Sequence, residues 1–115
     1  MPVIHTHVSV PTTREQREAL KTAYGKAITA VPGKSEGWLM CPFEDNMPIY
    51  FAGSDDKPAA YVEVNVFGAS VPGSAWEQLT RQIMDALQRE LGIPKDRTYI
   101  RYTATTDWGW NGGNF

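Results

Sequence analysis

The group most able to do chemistry lies at the start of the chain, where Pro2 follows Met1. Proline lacks an N–H, so it is tolerated at the first residue of a strand and poorly inside one. If Met1 is removed, Pro2 becomes a secondary amine held in place by the strand-like residues 3–10 behind it. Such an amine would be a fixed base. From these residues alone, the favoured interpretation is that Pro2 is only a small second residue.

Two histidines on the same predicted strand are the next candidates. His5 and His7 are two residues apart, so they fall on one strand face and could ligate a metal. No cysteine or acidic pair lies near them in sequence, so a polar or interface-facing pair is favoured and no metal is expected. The sequence contains no CxxC, Walker loop or HExxH motif, and no cofactor is expected.

The composition restricts the class of protein and its partners. A chain of 115 residues with 42% hydrophobic and 11% aromatic residues suits one packed domain, residues 1–115. The net charge is −2, without the excess of positive charge that nucleic-acid-binding domains carry, so no nucleic acid partner is expected. No apolar run is long enough for a bilayer, and the first residues lack a signal-peptide layout, so no membrane partner is expected. The single cysteine, Cys41, fits a reducing, cytoplasmic location.

Two helices are predicted from apolar spacing and capping signals. Apolar residues repeat every three or four positions within 20–31 and 76–91, which gives each helix one stripe for burial. Pro32-Gly33 ends the first helix, and Gly92 followed by Pro94 ends the second. The capping-box spacing is found in Thr12 with Glu15 or Thr13 with Gln16 before the first helix, and in Ser74 with Glu77 before the second.

Strands are predicted on both sides of each helix, at 3–10, 38–41, 60–67 and 98–103, with a short strand possible at 49–51. A helix that joins two neighbouring strands makes them parallel, with a right-handed connection. The pattern therefore predicts an α+β fold, in which two β-α-β units form a four-stranded mixed sheet with both helices on one face. The other face carries Tyr61, Glu63 and Asn65, and this half-polar surface favours burial against copies of the chain.

Four pieces of the sequence carry a resemblance to a known family. They are Met1-Pro2, Gly33-Lys34, residues 96–102 (DRTYIRY) and Gly109-Trp110-Asn111. In this order and at this spacing, with a register nearly free of gaps over the whole chain, they resemble the tautomerase superfamily. Within it they are similar to the family of macrophage migration inhibitory factor and D-dopachrome tautomerase.

The resemblance implies an isomerase that forms a homotrimer with three active sites at subunit interfaces, and leaderless secretion as an alternative to a cytoplasmic location. In such a family the N-terminal proline is the general base. Other positions would bind substrate: Lys34 holds its carboxylate, Phe67 offers a backbone N–H, Tyr99 and Arg101 come from the neighbouring subunit, and Trp38, Trp108, Trp110 and Phe115 form aromatic walls.

The chain also departs from the macrophage factor. Arg101 stands where that factor has asparagine, and it adds a fixed positive charge. Residues 59–62 (AAYV) replace its CxxC, so thiol redox activity is not implied. Structural interpretations stay open for three residues. Lys34 could oppose the helix dipole, Arg101 could pair with Glu63 across an interface, and Tyr99 could be plain core, as could Trp110.

The resemblance, with Pro2 and Lys34 both intact, favours a keto–enol tautomerase of small α-keto acids, similar to a phenylpyruvate tautomerase. A base with a pKa near the working pH is what such proton transfer requires. One alternative is a cytokine-like, protein-binding factor with a vestigial site. A second alternative is a related dehalogenase or decarboxylase that uses the same amine.

Overall fold

The computed structural model describes residues 1–114. Its longer strands and both helices alternate in the predicted order, and a small hairpin follows them. The strands are β1 (Pro2–Val8), β2 (Phe43–Glu44), β3 (Ala60–Phe67), β4 (Thr98–Thr105), β5 (Gly109–Trp110) and β6 (Gly113–Asn114), and the helices are α1 (Arg14–Ala27) and α2 (Gly73–Leu91).

The main sheet has the strand order β2-β1-β3-β4. β1 is parallel to β2, and β3 is parallel to β4, as expected for two strands joined through a helix. The two units meet where β1 runs antiparallel to β3, with Pro2 opposite Val66 and Val8 opposite Ala60. The predicted α+β fold, a four-stranded mixed sheet with two helices on one face, is confirmed.

The core lies between the sheet and the two helices. Alternate residues of β3 are buried against it, while the residues between them face the open side of the sheet and stay partly exposed. One buried polar pair is satisfied within the core, where the hydroxyls of Thr6 and Tyr24 are 2.9 Å apart. The core side chains include Val62, Val64, Val66, Leu20, Tyr24, Leu79, Ile83 and Leu87.

The first helix begins with a complete capping box. The Gln16 N–H donates to the Thr13 hydroxyl oxygen at 3.1 Å, and the Thr13 N–H donates to the Gln16 side-chain oxygen at 2.9 Å. Of the two predicted pairs, Thr13 with Gln16 is therefore correct. Thr12 instead donates from its N–H and its hydroxyl to Asp45, and these hydrogen bonds lower the pKa of that carboxyl.

The capping box predicted at Ser74 is wrong. The second helix begins at Gly73, with Pro72 in the N-cap position and no side-chain cap. Proline's fixed φ suits the entry to a helix. Ser74 is therefore already inside the first turn, two residues past the N-cap position that a capping side chain must occupy.

The strand predicted at 38–41 is also displaced. Residues 36–38 form a 3-10 turn, and the chain then runs beside β1 from Met40 onward. The carbonyls of Met40 and Pro42 accept the N–H groups of Ile4 and Thr6, at 2.9 and 3.1 Å. Pro42 is tolerated here because β2 is an edge strand, so the N–H that proline lacks is not needed on the open side.

The short strand predicted at 49–51 does not form within the described residues. Phe51 and Ser54 exchange two backbone hydrogen bonds, at 2.9 and 3.1 Å, which close a turn rather than extend a sheet. The first strand ends at Val8 rather than at residue 10, and β4 continues to Thr105. Among residues 1–114, neither helix is long and apolar enough to cross a membrane.

Candidate active site

Pro2 is buried at one end of the sheet, where backbone hydrogen bonds hold it on both sides. The Met1 carbonyl accepts the N–H of Phe67 at 2.9 Å, and the Pro2 carbonyl accepts the N–H of Met40 at 3.0 Å. In the strand register, Pro2 is opposite Val66 of β3. The nitrogen of Pro2 is therefore placed by the sheet rather than left at a loose chain end.

A cavity of about 360 Å³ opens beside this end of the sheet, lined by Met1, Gly33, Trp38 and Trp110. The rings of Trp38 and Trp110 meet edge to face, with centroids 5.2 Å apart and an interplanar angle of 80°. Their exposed fractions are 57% and 52%, so both indoles remain available to a ligand. The two tryptophans give the cavity an aromatic wall.

Trp110 is positioned by a hairpin that the sequence analysis did not predict. Gly109 pairs with Asn114 and Trp110 with Gly113. The turn between them is Asn111-Gly112, with φ of +50° and +81°. An Asn-Gly pair is a strong sequence signal for a two-residue hairpin turn, and it would have located β5 and β6.

Lys34 lies at the same end of the sheet. Gly33 adopts a φ of +78°, which turns the chain after α1, and the Lys34 N–H donates to the Val31 carbonyl at 3.1 Å. The Lys34 ammonium is 5.5 Å from the centre of the Phe67 ring. Burial, and second the charge of Lys34, lower the pKa of the Met1 amine. Lys34 therefore acts electrostatically on the N-terminal end of β1.

The family model described as Macrophage migration inhibitory factor (MIF) matches residues 1–115. The chain belongs to the MIF family. Among relatives, a MIF homologue of Trichinella spiralis is 26% identical over 117 residues, with all of both chains covered.

Solved structures of the MIF family share the fold. The crystal structure of Leishmania major MIF2 superposes with a TM-score of 0.92 at 41% identity, covering 100% of this chain and 97% of that one. A MIF homologue from Prochlorococcus marinus gives a TM-score of 0.82 at 30% identity, covering 98% of each chain. The recognition made from the sequence is confirmed at the level of family and fold.

Most of the site residues expected for a MIF-family protein gather around the cavity end of the sheet. Pro2, Lys34, Phe67, Trp38 and Trp110 all lie there. Trp108 is not among the described residues that line the cavity, and its indole N–H donates to the Thr105 carbonyl at 3.0 Å. Phe115 lies outside the described residues.

Tyr99 and Arg101 are not brought to the cavity by a single chain. Pro2 is opposite Val66, and Val66 is opposite Ala104, so Tyr99 lies five residues away along β4. At about 3.3 Å per residue this is about 17 Å along the strand, on an edge two strands from β1. Tyr99 is 66% exposed.

The arginine that distinguishes this chain from the macrophage factor has an exposed side chain. Arg101 is opposite Glu63 in the β3–β4 register, yet among residues 1–114 it forms no ion pair. The predicted pairing of Arg101 with Glu63 across an interface stays a prediction.

Cys41 is a poor candidate nucleophile. The thiol is partly buried, and burial first, with the nearby charge of Glu36 second, raises its pKa to about 11. It therefore stays protonated at neutral pH, whereas the thiolate is the reactive form.

Proposed function

We propose that this protein is a keto–enol tautomerase of small α-keto acids of the phenylpyruvate class, with Pro2 as general acid and base. The observation that carries the proposal is the tryptophan-walled cavity lined by Met1, the residue before Pro2, and by Gly33, the residue before Lys34. The reaction moves one proton between the carbon next to the carbonyl and the carbonyl oxygen. It neither gains nor loses atoms, and it needs no cofactor.

The base in this proposal is the amine that Pro2 acquires when Met1 is removed. An ordinary α-amino group titrates near pH 8. Burial and a nearby cation both disfavour the protonated form, which lowers the pKa of an amine. The Met1 amine already experiences both effects. A Pro2 amine, which lies further into the sheet, is expected to experience them at least as strongly, so its pKa should lie below the ordinary α-amino value.

The cavity suits a flat anion with an aromatic or extended body. Lys34 would hold the substrate carboxylate, and its charge would also stabilise the enolate oxygen as negative charge develops. The Phe67 N–H, which now donates to the Met1 carbonyl, is the backbone donor proposed for the substrate. Trp38 and Trp110, which line the cavity, would contact the ring of a phenylpyruvate-like molecule.

The proposed assembly is a homotrimer of single-domain chains in a cytoplasmic setting. The MIF family supports an oligomer, and β4 is an edge strand that carries the exposed Tyr99 and Arg101. In the trimer, β4 of a neighbouring chain would bring these two side chains to the cavity. Arg101 would then add a second fixed cation for a monoanionic or dianionic substrate.

A spectrophotometric screen of enolisable keto acids tests this function. Protein shown by mass spectrometry to lack Met1 should interconvert the keto and enol forms of phenylpyruvate or a related α-keto acid. Lys34→Ala should lower kcat/KM about ten- to hundredfold, since a charge-assisted hydrogen bond is worth about 1.5–3 kcal/mol. The matched control is Lys26→Ala, an exposed lysine in the last turn of α1. No turnover of any enolisable keto acid by the processed protein would contradict the proposal.

A further inference from the structure

A cluster of His5, His7 and Glu44 forms on the open face of the sheet, away from the helices. Strand alternation puts both histidines on one face of β1, and β2 lies alongside with Glu44 opposite His7. One ligand atom from each residue lies within 4.8 Å of the other two. The Nε2 atoms of His5 and His7 are 2.8 and 3.0 Å from the same oxygen, Oε2 of Glu44.

The hydrogen bonds of His7 define what its second nitrogen can do. Its Nδ1 is 2.9 Å from the carbonyl oxygen of Tyr61, which only accepts, so Nδ1 carries the hydrogen. In a neutral ring, Nε2 then presents a lone pair to the Glu44 carboxylate, which also only accepts. Two acceptors this close need either a hydrogen on one of them or a metal ion between them.

We propose that His5, His7 and Glu44 bind a divalent transition metal, with zinc the best fit. Imidazole nitrogens and a carboxylate oxygen are zinc ligands, whereas magnesium and calcium favour oxygen alone. Bonds of about 2.0–2.1 Å in a tetrahedral site separate ligand atoms by about 3.3 Å. The present spacings of 2.8 and 3.0 Å therefore need to open by only a few tenths of an ångström.

The surroundings of the cluster support the same assignment. The Tyr61 carbonyl is an outer partner that orients His7, as backbone carbonyls commonly do for metal-bound histidines. In the single chain the Glu44 side chain is 51% exposed, which leaves a path for the ion and an open position for a water. Because β2 has only two residues, a metal joining Glu44 to β1 would pin this edge strand to the sheet.

This proposal does not depend on the proposed tautomerase activity. His5 is three residues from Pro2 along β1, about 10 Å. Both histidines of the chain are in the cluster, so an untagged protein has no other imidazole to bind metal. The test therefore reads metal binding directly, and enzyme activity is not needed to interpret it.

The experiment is a Co²⁺ and Zn²⁺ titration of untagged, chelator-treated protein, followed by absorption spectroscopy and calorimetry. We expect one Co²⁺ per chain with a tetrahedral-type visible spectrum, its displacement by Zn²⁺, and a rise in thermal melting temperature with Zn²⁺. Absence of saturable binding by the folded wild-type protein would overturn the proposal, because a proton would then be the bridging cation.

Variants distinguish this site from other metal-binding groups. Loss of an outer-shell partner weakens metal binding about ten- to hundredfold. Glu44→Gln and His7→Gln each remove a direct ligand, so each should weaken metal binding at least as much. Glu63→Gln is the matched control, since it removes the same charge from the same sheet face, opposite His5. Cys41→Ser removes the chain's one thiol. Equal loss in Glu63→Gln and Glu44→Gln, or loss of binding in Cys41→Ser, would contradict the ligand set.

Discussion

The N–H of Phe67 donates to the carbonyl of Met1 at 2.9 Å, one residue beyond the pairing of Pro2 with Val66. This bond holds the Met1–Pro2 peptide at the edge of the tryptophan-walled cavity. While that peptide is intact, the Pro2 nitrogen is an amide without a basic lone pair. Removal of Met1 therefore creates the proposed base and takes away the carbonyl that now accepts from Phe67.

The pH dependence of turnover should report the electrostatic effect of Lys34. Burial and the Lys34 charge lower the pKa of the amine at this end of β1, so kcat/KM should rise with pH through a midpoint below about 8, the ordinary α-amino value. Lys34→Ala removes a like charge, which raises the amine pKa and moves the midpoint to higher pH. The pH profile of the exposed Lys26→Ala variant should match that of the wild type. An unmoved or lowered midpoint in Lys34→Ala would show that Lys34 does not act on the base.

Mixing two variants with impaired activity tests whether Arg101 acts from a neighbouring chain. A variant without the Pro2 amine and an Arg101→Ala variant each lack one part of every site. In randomly mixed trimers, about one quarter of the interfaces combine an intact Pro2 with an intact Arg101, so activity should return to about that fraction. Light scattering should give about three times the 12.8 kDa chain mass. Mixed trimers without recovered activity would mean that Arg101 does not complete a neighbour's site.

The two predicted capping boxes give a matched test of helix stability. Thr13→Ala removes the cap of α1 and should lower the free energy of unfolding by about 0.5–2 kcal/mol. Ser74→Ala should change it by about 0.5 kcal/mol or less, because Ser74 is exposed and caps nothing. Urea denaturation of both variants measures the difference. Equal losses would show that the Thr13–Gln16 bonds contribute nothing specific.

The long helices and strands could be predicted because their apolar residues recur at regular spacing. Val62, Val64 and Val66 alternate along β3, and each helix has an apolar stripe several turns long; β3 and α2 lie where predicted. The first helix is shorter than predicted, because α1 ends at Ala27 and a 3-10 turn, Ile28–Ala30, follows it. Strand β2 has only two residues, too few to show an alternation of apolar and polar side chains. Its location is set by hydrogen bonds to β1, which is distant in sequence, so no local pattern predicts it. Ser74 failed as a cap because Pro72 already occupied the entry to the helix.

The candidate site was only partly predictable for a related reason. Pro2 could be singled out from its chemistry, and the roles of Lys34 and the tryptophans came from the family resemblance. Glu44 gave no signal, because the parallel register that sets it beside His7 joins residues 37 positions apart. In the proposed site, Tyr99 and Arg101 come from a second chain. How two chains pack together cannot be inferred directly from one sequence.

Comparing protein with and without Met1 tests the role of Pro2 most directly, because the proposed base exists only when Met1 is absent. Two preparations, one processed and one shown by mass spectrometry to retain Met1, should be compared for kcat/KM on the best keto acid. A third protein with alanine inserted between Met1 and Pro2 shifts the amine by one residue and should be folded, trimeric and nearly inactive. We predict turnover in the processed protein alone. Equal turnover in the protein that retains Met1 would contradict the assignment of Pro2 as the base.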